Sequence, residues 1–65
     1  MNQAIAAQLS SMEYSVAELA ERASLLGDEL AQDRDERGAS DLYQIEKSLR
    51  IAARKLSQLK RALSS

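Results

Sequence analysis

Residues 33–40, Asp33-Arg34-Asp35-Glu36-Arg37-Gly38-Ala39-Ser40, form a polar interruption between two apolar seams, and that interruption decides the fold. Before it, Ile5, Leu9, Met12, Val16, Leu19, Ala23, Leu26 and Leu30 follow one another at alternating steps of four and three residues. After it, Leu42, Ile45, Leu49, Ala52, Leu56, Leu59 and Leu63 repeat the same alternation. Such steps place apolar side chains on one helix face with a period of 3.5, the pattern of helices that supercoil around each other at a shallow angle. Gly38 suits a left-handed helix-ending position, and Ser40 suits the N-cap of a second helix. The reading is helix one at about residues 3–34, a turn at about 35–40 and helix two at about 41–63, within boundary errors of a few residues. A linker this short makes the helices antiparallel neighbours. Leu26 and Leu30 should then meet Leu42 and Ile45 near the turn, and Ile5 and Leu9 should meet Leu59 and Leu63 at the open end.

Charge agrees with this pairing. Residues 1–39 carry 3 basic and 8 acidic side chains, net −5, and residues 40–65 carry 6 basic and 2 acidic, net +4. Opposite signs favour the hairpin over pairing of like helices, although exposed ion pairs contribute only about 0–1 kcal/mol each. Asp41 at the start of helix two and Lys55, Lys60 and Arg61 toward its end complement its dipole. Asp33, Asp35 and Glu36 sit at the unfavourable end of helix one, where fraying is expected.

Composition points to an all-α chain that needs completion. Its 65 residues allow one small domain, no Pro interrupts it, and β-branched residues are few. The apolar fraction of 45 % is inflated by Ala, and the only aromatics are Tyr14 and Tyr43, so the core of one copy is thin. With no Cys or His there is neither a disulfide nor an ordinary zinc site to reinforce it. The expected fold is therefore an antiparallel two-helix hairpin of coiled-coil type, completed by self-association or by a partner.

The same absences argue against catalysis, because no imidazole base and no thiolate nucleophile is present. Glu18 with Glu21, or Asp28 with Glu29, read as solvated surface charge rather than as an acid–base pair. No catalytic, cofactor-binding or metal-binding residue is assigned, no cofactor is expected, and the chain is read as not an enzyme. A cysteine-free chain suits a reducing compartment, and the cytoplasm is the expected location. No uncharged apolar run approaches the roughly 18 residues of a membrane span, and Met1 to Met12 lack the basic start of a signal peptide.

Beside the helix-one seam runs a second row, Ala6, Ser10, Glu13, Ala17, Ala20, Ser24, Gly27 and Ala31, nearly all small. Small side chains let another helix approach closely, so this row is a candidate partner surface; Ala's high helix propensity alone would also fill it. Tyr14 and Leu25, three helical turns apart, together with Tyr43 and Ile51, are apolar residues off both seams. The candidate partner-binding residues are therefore Ala6, Ser10, Tyr14, Ala17, Ala20, Ser24, Leu25, Ala31, Tyr43 and Ile51. Tyr43 is alternatively read as a cover for the hairpin end near Gly38.

Lys47, Arg50, Arg54 and Arg61 lie along one side of helix two and could track phosphates. The corresponding alternative is a homodimeric four-helix bundle that binds RNA through this basic face. A net charge of −1, an acidic first helix and the lack of interleaved aromatics weigh against nucleic acid.

Arg37-Gly38-Ala39 followed by Tyr43-Gln44, opening an amphipathic helix that runs to Leu59 and Leu63, resembles the small YscE/PscE-like co-chaperones of bacterial type III secretion systems. Those are chains of similar length that form an antiparallel hairpin with an Arg-Gly turn. The likeness covers about a third of the chain and departs by one position, three residues (Ser40 to Leu42) standing where the family has four. The resemblance implies a cytoplasmic co-chaperone that stabilises a larger tetratricopeptide-type chaperone. Through that helical-repeat partner it would help to keep the needle subunit soluble and monomeric. A homodimer of the lone co-chaperone is compatible with that role.

Overall fold

The computed structural model describes residues 3–64 and consists of two long helices, α1 (Gln3–Gln32) and α2 (Glu36–Ser64). They fold back on each other as an antiparallel hairpin measuring 48 × 14 × 9 Å between Cα atoms. No strand occurs among the described residues. The expected all-α hairpin is what forms, because strong helix formers fill both arms and nothing but the polar segment breaks the pattern.

The turn is tighter than expected and lies earlier. It takes only residues 33–35, and the cap residues differ from Gly38 and Ser40. Arg34 adopts the left-handed conformation, with φ of 65°. Its N–H donates to the Ala31 carbonyl at 3.1 Å, and the Asp35 N–H donates to the Leu30 carbonyl at 2.9 Å. These crossed bonds are a Schellman closure of α1, made around an Arg instead of the usual Gly. Asp35 then serves the next helix: its Oδ1 accepts the Gly38 N–H at 2.9 Å, and its carbonyl accepts the first intrahelical bond from Ala39 at 3.0 Å. Asp35 is thus the N-cap of α2, and Glu36 lies in the first turn, where negative charge meets a positive helix end.

Gly38 and Ser40 both lie inside α2, contrary to the turn and cap roles expected of them. Gly38 has no positive φ. A Cβ there would lie 2.7 Å from Asp35 Oδ2 and 2.9 Å from Leu30 Cδ1, so glycine leaves room for the cap and for the end of the seam.

The phase of the hairpin also differs from expectation. The less exposed positions on α1 include Ala6, Leu9, Glu13, Val16, Ala20, Ala23, Gly27 and Leu30, and on α2 Ala39, Leu42, Glu46, Leu49, Ala53, Leu56 and Lys60. Both series keep the alternation of three and four. On α1 the series takes every second member of the large apolar seam and every second member of the small row; on α2 it takes Leu42, Leu49 and Leu56 of the seam together with Ala39, Glu46, Ala53 and Lys60 beside it. Among the described residues only Leu9, Ala20, Ala23, Gly27 and Ala39 are buried. Small residues dominate that set because they allow close approach of the two helix backbones.

Candidate protein-docking face

The chosen phase divides the hairpin into two unlike broad faces. On one lie Ile5, Met12, Leu19 and Leu26 of α1, seven residues apart, beside Ile45 and Leu59 of α2, with Ala52 between these two. Each of the six large side chains is 46–50 % exposed. They were expected inside the hairpin and instead flank it. Leu19, Leu26 and Ile45 border a groove of about 350 Å³ floored by Ala23, Leu42 and Leu49, with Arg22 at its edge. Burying the exposed half of one such side chain contributes about 1 kcal/mol, so this face holds about 6 kcal/mol of unrealised burial on this chain alone.

The opposite face carries the polar links between the helices. Lys60 Nζ lies 2.9 Å from Glu13 Oε1 and donates to Ser10 Oγ at 3.3 Å. That Glu13 oxygen is buried without a well-directed hydrogen bond, so charge rather than geometry holds the pair. Arg50 Nε donates to Glu46 Oε2 at 2.9 Å, and its Nη2 reaches Glu21 Oε2 at 3.5 Å. Glu46 first and Glu21 with it hold the Arg50 guanidinium above its ordinary pKa. Farther toward the turn, Tyr43 donates its hydroxyl proton to Asp28 Oδ1 at 2.6 Å. This hydrogen bond, followed by partial desolvation and the nearby negative charges, raises the Tyr43 pKa above 10.0. The Tyr43 ring rests on Gly27, where a Cβ would lie 2.6 Å from its Cε1.

These contacts redistribute the residues proposed from sequence as a partner surface. Ala20 has no exposed area and belongs to the hairpin seam, as does half-buried Ala6. Ser10, Ala17, Ser24 and Ala31 lie toward the polar face by helical period, where Ser10 is engaged by Lys60. The small row is therefore split between the helix contact and the polar face. Tyr43 covers Gly27 of α1 rather than the hairpin end. Tyr14, 73 % exposed, and Leu25 point outward from α1, whereas Ile51 lies on the outer side of α2 beside Tyr43, Lys47 and Arg54. The structure does not bring these four into one patch. The basic row is also altered, because Arg50 is engaged by two carboxylates.

The apolar face is the larger departure from expectation, since heptad spacing alone places its members in the core. A signal was present: Ala6, Ala20 and Gly27 of α1, with Ala39 and Ala53 of α2, offer a closer helix contact beside the seam than the Leu, Ile and Met positions do.

Among the described residues no group of His, Cys, Asp and Glu is arranged to hold a metal ion. No described helix is long and apolar enough to cross a membrane. Comparisons with protein-family models, curated proteins and solved structures find no match.

Proposed function

We propose that this chain is a non-catalytic protein-binding co-chaperone that docks by its apolar face on a larger tetratricopeptide-type chaperone. Together they keep a type III secretion needle subunit soluble and monomeric in the cytoplasm. The observation that carries the reading is the row of six half-exposed large side chains along one face, opposite a face occupied by ion pairs. A hairpin with so small a buried core gains stability when a partner covers that row, by ordinary binding linkage. Helical-repeat proteins offer long grooves suited to amphipathic helices. The Arg37-Gly38-Ala39 and Tyr43-Gln44 sequence supports the choice of partner class, although Arg37-Gly38 stands in the first turn of α2 rather than in the connection.

The test is a tagged pull-down from the native host at physiological salt, analysed by mass spectrometry and stained for nucleic acid. The wild-type chain is compared with Leu19→Arg plus Ile45→Arg. Recovery of a helical-repeat protein by the wild type and its loss in the variant is the expected result. Recovery of RNA, of this chain alone, or of the same partner by the variant would overturn the reading.

A further inference from the structure

We infer that a second copy of this chain covers the apolar face, two hairpins stacking into an antiparallel four-helix bundle. This goes beyond the co-chaperone reading and does not depend on it; in that reading the larger chaperone displaces the second copy from the same face. Ile5, Met12, Leu19 and Leu26 extend the face along almost the whole of α1, and Ile45 and Leu59 extend it along α2. A short segment would cover only part of it, whereas another hairpin of the same length covers all of it. The Cα footprint of 48 × 14 Å corresponds to on the order of 700 Å² per copy before side chains are added, close to the roughly 800 Å² per partner of a stable interface.

The overall charges of the two helices favour one stacking, although the rim of the face is itself neutral. Helix α1 carries five acidic and one basic side chain, net −4, and α2 three acidic and seven basic, net +4. A twofold axis along the hairpin places α1 of each copy, net −4, over α2 of the other, net +4, and keeps all neighbouring helices antiparallel. The ion pair of Glu21 with Arg50 and the hydrogen bond of Tyr43 to Asp28 set the register within the hairpin. In that register Leu26 stands level with Ile45, Leu19 with Ala52 and Met12 with Leu59, and the stacking brings these levels together between copies. By helical period the rim of the face carries Arg22, Glu29, Asp41 and Lys55, with no net charge. The one like-charge approach, Glu29 toward Asp41 of the second copy, involves two exposed carboxylates that solvent screens.

Sedimentation equilibrium of the full chain tests the inference at about 1 to 100 µM, the range that spans micromolar dissociation constants. The expected result is twice the 7.2 kDa of one copy, with an unfolding midpoint that rises with protein concentration. Leu19→Glu plus Ile45→Glu should return the mass of one copy with helical circular dichroism retained. If that variant unfolds, Met12→Lys, a single change at a half-exposed position, reads the same equilibrium. Because the chain has no native Cys, an oxidised mixture of Leu19→Cys and Ala52→Cys chains should form the mixed disulfide in excess over either homodisulfide. A mass of one copy throughout, or a dimer that the folded variants leave intact, overturns the inference; homodisulfides in excess overturn the stacking. A monomer would leave the docking proposal standing. A dimer whose pull-down recovers no other protein would remove that proposal and leave this inference.

Discussion

Replacing Gly27 by Ala is a test in which helix propensity and tertiary packing demand opposite signs. Gly27 lies well inside α1, where Gly→Ala ordinarily stabilises a helix by about 1 kcal/mol. Here the new methyl would sit 2.6 Å from Tyr43 Cε1, far inside contact distance. The ring is a side chain 39 % exposed, so it can swing outward, but doing so gives up the hydrogen bond to Asp28 and the ring's contact with α1. A hydrogen bond of this kind contributes about 1 kcal/mol net, and losing part of an aromatic contact costs about another 1 kcal/mol. The loss of about 2 kcal/mol exceeds the gain, so Gly27→Ala should destabilise the protein by about 1 kcal/mol. In a Tyr43→Ala background nothing opposes the methyl, and the same substitution should stabilise by about 1 kcal/mol. The coupling of about 2 kcal/mol is read from urea unfolding followed by far-ultraviolet circular dichroism at one fixed protein concentration. Stabilisation of equal size in both backgrounds would show that Tyr43 does not rest on Gly27.

The turn supplies two further tests, both read from thermal unfolding. Arg34→Gly should stabilise by about 0.5–1 kcal/mol, because an L side chain is costly at a φ of 65° while the glycine adds some unfolded-state entropy; an unchanged or lower midpoint would contradict the closure described. Asp35→Ala should cost about 1 kcal/mol through loss of the cap on Gly38, and Asp35→Asn should cost much less. At alkaline pH, Tyr43 supplies a signed expectation. Its pKa is raised in the folded state, so its contribution is fully present below pH 10.0 and is lost as pH rises through the raised value. Ultraviolet titration should show a late phenolate component that disappears in Tyr43→Phe, and persistence of that component would assign it elsewhere.

The two helices, their antiparallel pairing and the place of the break within a few residues were all legible in the linear pattern. A 3.5 period, a high content of helix formers and a single polar gap leave few other arrangements. The expected grouping of Leu26 and Leu30 with Leu42 and Ile45 near the turn agrees in level with the register set by Glu21 with Arg50 and by Asp28 with Tyr43, although Leu26 and Ile45 flank the contact instead of filling it. The capping residues are not legible in the sequence, because Gly38 is of the residue type that commonly terminates helices. Its real constraint is steric: Asp35 and Leu30 occupy the space a Cβ would need. Nothing local distinguishes a glycine kept for φ from one kept for space. The bond from Tyr43 to Asp28 and the ion pair of Lys60 with Glu13 were hidden for a related reason, since each joins residues far apart in the chain whose meeting depends on the rotation of one helix about its axis.

That rotation separates what the sequence by itself determined from what the tertiary structure decided. Heptad spacing specifies that a stripe of each helix is apolar, and its breadth exceeds what one neighbouring helix can cover. With large residues on one flank and Ala, Ser and Gly on the other, two phases satisfy the same period. The folded hairpin takes the phase that brings Ala20, Ala23, Gly27 and Ala39 into the contact, with Leu9 the one large side chain buried among the described residues. The backbones can then approach closely, and the polar face can close its ion pairs. The consequence, visible only in three dimensions, is that Ile5, Met12, Leu19, Leu26, Ile45 and Leu59 stay half-exposed on a face that a two-helix protein is too small to cover by itself.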